Sequence, residues 1–417
     1  MLQPSPEYQK RLIAHDLDYG LNALENKVHK SELRRMALKK LAAGTLAATA
    51  VLGVPVAYYT ADVRANQAKQ DNAHIYVSEQ TEALDPINND NALIFLDGVR
   101  TQSGIGLSNE IGKAFQTVID GRLAPLVYND AKISNKAAAE EVIEYAEDNN
   151  IRSVSFIARS GGGNTAMNVQ EIVRETSDIE VEAIVLITTP TGIERLRPAR
   201  QEEINLVESV SWIPGIAHST AFHYITEMAM RSGTYDDGDI VERTEDFIAT
   251  SNTVTKGIES NELTNTWVTL DQLFAIKNSN VQARIDNIGE QPDDKLVPTI
   301  VYFGTAEPGK DQVVDDTNSA LDIAASAEEN GVPFFGYKIK GAVHSMISKS
   351  KKAYIKTIAG SKEAIQASIL AQHYIAAKNK AQNFVSVLDP EPSTSPVEAL
   401  KIPSVDLRSL DHPPEEK

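Results

Sequence analysis

Apolar and polar positions divide the chain into three unequal parts. The first 40 residues are polar and mixed in charge, and Leu41 to Tyr59 then runs nineteen residues without a charged side chain. From Asn91 to about residue 380, short apolar runs alternate with stretches of helical spacing. Ala92–Leu96, Ala124–Tyr128, Ser153–Ala158, Val181–Thr188, Val297–Gly304 and Pro333–Lys340 read as strands, each a short apolar or β-branched run bounded by turn residues. Between them, Leu107–Ile119, Asn135–Asp148, Asn164–Arg174 and Thr317–Asn330 carry helical spacing, and 346–380 reads as one or two lysine-rich helices. Such alternation predicts an α/β fold, a parallel sheet with helices on both faces.

The alternation pauses over 191–294, a mostly helical stretch holding both tryptophans, Trp212 and Trp267. A structureless connection of that length is rare in a compact domain, so it predicts a helical cap over the carboxyl edge of the sheet. The competing reading is a second packing layer. The predicted organisation is a polar segment at 1–40, an anchor at 41–59, a connector at 60–90 with a short strand near His74–Ser78, a main domain at 91–388 and a disordered Pro/Glu-rich tail at 389–417.

As a helix, the nineteen residues from Leu41 would roughly match the hydrocarbon core of a bilayer. Lys30, Arg34, Arg35, Lys39 and Lys40 precede them, and Tyr58 and Tyr59 end them. This arrangement predicts a single transmembrane helix with its basic end cytoplasmic and the main domain extracytoplasmic. A cleaved secretory peptide ending near Val63-Arg-Ala65 and a buried core helix are the alternatives, the first weakened by its forty-residue polar lead. Charge adds to the picture. The first 40 residues hold eight basic and five acidic side chains, leaving 32 basic against 53 acidic beyond them. That excess repels the main domain from anionic lipid, and the overall charge of −18 argues against a nucleic-acid partner held through phosphates. With no cysteine, the chain has no disulfide, thiolate metal site or cysteine nucleophile.

Candidate chemistry centres on Ser153-Val-Ser-Phe-Ile-Ala-Arg-Ser160-Gly-Gly-Gly-Asn164, a strand, a glycine turn and a helix start. Ser160 falls on the turn, between Ala158 and Gly161-Gly162, where small flanks tolerate a tight backbone. The helix N-terminus beside it favours developing negative charge. Gly161, Gly163 and Ala166 also fit a dinucleotide fingerprint, but the strand at 181–188 ends in Thr188-Thr189-Pro190 without the carboxylate that reading needs. A glycine turn with no chemistry is the plainest alternative. A serine nucleophile needs a base and an acid to orient it. Of eight histidines, only His344 lies just after a late strand. His218 and His223, in the expected cap, make only a weak metal motif.

The sequence Ala158-Arg159-Ser160-Gly161-Gly162 resembles the nucleophile elbow of α/β-hydrolases, with Ala in place of the first glycine. The late His344 turn and the order serine, acid, histidine extend the resemblance over roughly residues 90–380. It implies the family's doubly wound, mostly parallel sheet of about eight strands and acyl-enzyme chemistry without a metal or organic cofactor. Ser160 would be the nucleophile and His344 the base, with the acid in the loop after 297–303, where Glu307 and Asp311 each fit half of the pattern and Asp311 is slightly favoured. Oxyanion donors would be the Gly161 amide and the Gly98-Val99 turn, where Asp97-Gly98 replaces the family's common His-Gly. Arg159 and Trp212 are candidate substrate contacts. A small-molecule or lipid-like acyl substrate is expected of an apolar, aromatic cap. A catalytically silent binding domain of the same fold, or a serine peptidase, are the other functions the residues allow.

Overall fold

The computed structural model describes residues 56–388 apart from 199, 203, 206–214, 232–239, 261–262, 291–294, 306–310, 343 and 345–346. Most of the expected anchor and all of the expected tail lie outside these residues. Residues 56–59 begin helix α1 (Val56–Asn72), and no helix among the described residues is long and apolar enough to cross a membrane.

Strands β1 (Tyr76–Val77), β2 (Asn91–Leu96), β3 (Arg122–Val127), β4 (Ser153–Arg159), β5 (Glu180–Ile187), β6 (Thr299–Thr305) and β7 (Phe334–Ile339) form one seven-stranded sheet among the described residues. Its order is β1-β3-β2-β4-β5-β6-β7. Only β1 is antiparallel, so the sheet is mostly parallel, with β4 at its centre. Helices α2 (Ile105–Gln116), α3 (Asn135–Asp148), α4 (Gly161–Thr176), α5 (Thr220–Met230), α6 (Ile240–Glu259), α7 (Thr266–Lys277), α8 (Val281–Gly289), α9 (Asp316–Glu329), α10 (Ile347–Gly360) and α11 (Lys362–Leu388) accompany the strands, with three short 3-10 turns among the described residues.

Strands β2 to β6 are buried on both faces, which is why they read as near-continuous apolar runs. Successive side chains still point to opposite sides, and each side has its own core. Ile94, Leu96, Phe156, Ala158, Ile184 and Leu186 meet residues of α3, α4, α8 and α9. Leu93, Phe95, Ile157, Val185 and Phe303 meet Leu107, Ile111 and Phe115 of α2 with Tyr354 and Ile358 of α10. The sheet is therefore covered on both faces.

Of the stretch 191–294, α5 and α7 reach the loops at the carboxyl ends of the strands, and α6 packs on α5. Helix α8 does something different. Its Val281, Ile285 and Ile288 join the main core beside α4 and α9. The polar connector also proves ordered at its start. Asp62, Asn66 and Gln70 of α1 recur every four residues and so share one helical face. The Asp62 carboxylate accepts from Thr220 N–H at 2.8 Å and from its hydroxyl at 2.7 Å. Asn66 donates to the His218 carbonyl at 2.7 Å, and Gln70 Oε1 lies 2.8 Å from His218 Nε2. Val63, buried on the same helix, packs against Gly215.

Candidate active site

Parallel pairing of β2, β4, β5 and β6 brings four strand ends to one edge of the sheet. Backbone strain gathers along that edge. Arg100, Asn129, Ser160 and Thr188, each just beyond a strand, all have positive φ despite carrying side chains. Ser160 sits at φ 51°, ψ −130° between β4 and α4, a conformation that costs a residue with a Cβ about 1–3 kcal/mol. The turn is held by Ser160 N–H donating to the Ile187 carbonyl at 2.8 Å and Gly163 N–H donating to the Ser160 carbonyl at 2.9 Å. Its tightness explains the glycines. A Cβ at Gly162 would come within 2.6 Å of the Asp97 carbonyl oxygen, and one at Gly98 within 2.8 Å of Ser160 Cβ.

Three predicted side chains converge here from far apart in sequence. Ser160 Oγ lies 3.0 Å from His344 Nε2, and His344 Nδ1 lies 2.7 Å from Asp311 Oδ2. A carboxylate only accepts, so Nδ1 carries the proton and Nε2 is left to accept from the serine hydroxyl. The other oxygen of Asp311 accepts from Val313 and Val314 N–H, each at 2.8 Å. The Asp311 loop is itself fixed by the segment after β5: Leu196 bridges to Val314, and Arg197 Nε donates to the Asp311 carbonyl at 3.1 Å. Glu307, the competing acid, lies outside the described residues, as does Trp212. Ser160 is 6% exposed and Asp311 1%, so the group operates out of bulk water.

Behind Asp311 sits a second buried carboxylate. Asp316 accepts from Tyr302 O–H at 2.9 Å and Thr305 N–H at 3.0 Å. Burial first, then the charge of Asp311, push its carboxyl up to about 6.

The turn after β2 holds the remaining candidates. Leu96 pairs with Ala158, so Asp97 lies beside Arg159. Arg159 donates through Nε and Nη2 to the two Asp97 oxygens, both at 2.7 Å, and through Nη1 to Glu110 at 3.3 Å. Burial opposes its charge, but Asp97 and Glu110 outweigh that and leave the guanidinium above its ordinary range. Arg159, a candidate substrate contact, has its charge matched inside the protein by the aspartate that stands where the resembling family has histidine. Asp97 Oδ1 also accepts from Gly98 N–H at 2.7 Å. Of the two residues in the expected oxyanion turn, Gly98 thus has its amide engaged, whereas the amide of Val99 is bound to no group among the described residues. Gly161, opening α4, has the unsatisfied N–H of a helix's first turn. Val99 and Ile276 both flank Gly161, and Ile193, Leu196, Leu273 and Val313 extend that apolar wall.

Several contributors had no sequence signal. Gln272 and Glu227, from α7 and α5, reach the turn across more than a hundred residues. Parallel register alone could have revealed the Asp97–Arg159 pair. His218 and His223 line a separate cavity of about 180 Å³ with Asn66, Lys69 and Trp267. The His218 ring stacks on Trp267 with centroids 5.1 Å apart. Burial lowers the pKa of both imidazoles. Among the described residues, no group of three or more metal-ligating side chains could hold an ion.

No protein-family model matches the chain, and no curated protein matches it. Among solved structures, it is similar to a hydrolase from Pseudomonas aeruginosa PA01, at 14% identity over 70% of this chain and 94% of that one, with a TM-score of 0.42. It is also similar to an esterase from Exiguobacterium antarcticum, at 12% identity over 70% and 97%, TM-score 0.42. An α/β hydrolase from a Medee basin deep-sea metagenome library matches at 12% identity over 69% and 93%, TM-score 0.42. At that level of likeness, no residue role carries over to this chain.

Proposed function

We propose that this chain is a serine hydrolase of the esterase, lipase or thioesterase type, with an α/β-hydrolase fold. The observation that carries the reading is the run Ser160 Oγ, His344 Nε2, His344 Nδ1, Asp311 Oδ2, joined at 3.0 and 2.7 Å. A hydroxyl is a poor nucleophile near neutral pH, and a base oriented by a carboxylate is what activates it. His344 takes the proton as Ser160 Oγ attacks the substrate carbonyl. The tetrahedral oxyanion is met by the amides of Gly161 and Val99. His344 then returns the proton to the leaving alcohol or thiol, and the acyl group stays on Ser160. Water, deprotonated by the same imidazole, attacks the acyl-enzyme, and collapse frees the carboxylic acid and restores the hydroxyl. No residue of this scheme calls for a metal or an organic cofactor.

The apolar wall of Val99, Ile276, Leu273 and Val313 favours an apolar acyl group over a charged one. Residues 41–59 serve as a single-pass anchor in this reading, with the acidic domain on the extracytoplasmic side. Protease treatment of intact cells tests that placement, and a domain protected from outside would refute it.

The activity is tested with a fluorophosphonate probe and a series of p-nitrophenyl esters. Wild type takes up the probe at Ser160 and turns over esters, and Ser160→Ala does neither. Folded wild type that neither labels nor hydrolyses would refute the reading and leave a binding domain of the same fold. Faster cleavage of peptides than of esters would move it to the peptidases.

A further inference from the structure

The oxyanion site has a donor whose direction needs explaining. The Val99 N–H belongs to the peptide plane of Gly98 and Val99, and in a trans peptide the C=O and N–H of one plane point in opposite directions. Whatever holds the Gly98 carbonyl therefore aims the Val99 amide. The Thr101 hydroxyl holds it, donating to Gly98 O at 2.7 Å. Thr101 is in turn held by the cap. Gln272 Nε2, on α7, donates to the Thr101 carbonyl at 2.9 Å, while its Oε1 accepts from Arg100 N–H at 2.7 Å. A second cap helix grips the same turn, since Arg100 Nη2 ion-pairs with the buried Glu227 of α5. Arg100 keeps φ at +70° under these restraints, a conformation that a residue with a Cβ rarely holds unaided. Gln272 is 4% exposed, so its two bonds to the turn face little competition from water.

We infer that Thr101 is a positioning residue for catalysis: its hydroxyl, seated by Gln272 of the cap, fixes the peptide plane that presents the Val99 amide to the oxyanion. The inference rests on the hydrolase reading and adds to it a dependence of the oxyanion site on the seating of α7. Thr101 touches no reacting atom. It acts through the peptide plane alone, so its removal affects the charge-bearing transition state more than the binding of uncharged substrate. Loss of an oxyanion donor outright lowers kcat by about 10²–10³-fold; a donor left in place but free to tilt loses less.

The test compares wild type, Thr101→Val, Thr101→Ser and Gln272→Leu on a p-nitrophenyl ester and on its thiono counterpart, whose C=S forms a weaker hydrogen bond in the same place. Thr101→Val lowers kcat on the ester by about 10–100-fold with KM within about twofold, and lowers the preference for ester over thionoester by a similar factor. Thr101→Ser keeps the hydroxyl and retains both values. Gln272→Leu follows Thr101→Val in direction, and serves where that variant folds poorly. Unchanged kcat and ester preference in Thr101→Val, or an equal fall in Thr101→Ser, overturns the inference. Wild type that neither labels with fluorophosphonate nor hydrolyses overturns the hydrolase reading itself, and the inference falls with it.

Discussion

Replacing Arg159 by methionine tests the electrostatics of the site most sharply. Methionine retains the apolar stem and removes the guanidinium, so the packing lost is small. What remains is Asp97, 3% exposed, with the Gly98 amide as its bond inside the turn. Breaking a buried ion pair from one side typically costs 3–5 kcal/mol, because a charge stays behind in a low-dielectric setting. Arg159 itself is 11% exposed and its second partner, Glu110, 29%, so some water reaches this cluster. The lower end, about 3 kcal/mol, is the expected loss. Adding Asp97→Asn to the variant keeps an acceptor for Gly98 N–H while removing the charge, and should recover at least about 1.5 kcal/mol, a coupling within the range found for contacting residues. Urea melts of the four proteins of this cycle at pH 8 measure both the loss and the recovery. An Arg159→Met loss below about 1 kcal/mol at pH 8, or a double variant no more stable than the single one, would refute the reasoning.

Three other outcomes follow from the geometry. Ser160→Gly should abolish activity yet raise stability by about 1–2 kcal/mol in a thermal melt, because glycine accepts the positive φ that serine holds under strain; a lower melting temperature would count against that strain. Gly98→Ala places a methyl 2.8 Å from Ser160 Cβ and 3.1 Å from the Arg159 carbonyl oxygen, so ester turnover should fall at least about tenfold, and unchanged turnover would mean the turn has slack. Burial pushes the Asp271 carboxyl up to about 6, so its contribution to stability is full below pH of about 4 and is lost as pH rises through about 6. Asp271→Asn, which keeps an acceptor for Ile133 N–H, should flatten part of that decline and gain about 1–2 kcal/mol at pH 8; denaturant melts from pH 4 to pH 8 with an unaltered slope would refute it.

Strands were legible because parallel strands buried on both faces leave runs such as Ala92–Leu96 and Val181–Ile187 with scarcely a polar break. Ser160 was legible for a related reason: a turn this tight admits only small neighbours, and they stand in the sequence as Gly161-Gly162. The acid was harder. Glu307 and Asp311 differ by four positions in one loop, and spacing cannot tell which of them a bridge from Leu196 to Val314 will hold towards an imidazole. Helix α1 was hidden because its face is polar, with Asp62, Asn66 and Gln70 bonding to the cap in place of an apolar stripe. Thr101 and Gln272 were hidden by distance, 171 positions apart and joined by a hydrogen bond. The membrane expectation covers 41–59, of which 41–55 lie outside the described residues.

The docking of α1 bears on where the protein can be cut. Trimming to Asn91, just at the start of β2, would remove the edge strand β1 from β3 and would also strip Thr220 of the carboxylate at its amide, His218 of Gln70, and Gly215 of the valine that covers it. Helix α5 and the turn before it would lose these contacts, while Ser160, His344 and Asp311 have no hydrogen bond to α1 to lose. A fragment intended to crystallise or to be assayed by itself therefore does better to begin ahead of Val56, and the seventeen residues of that helix are best handled together with the helices over the carboxyl ends of the strands.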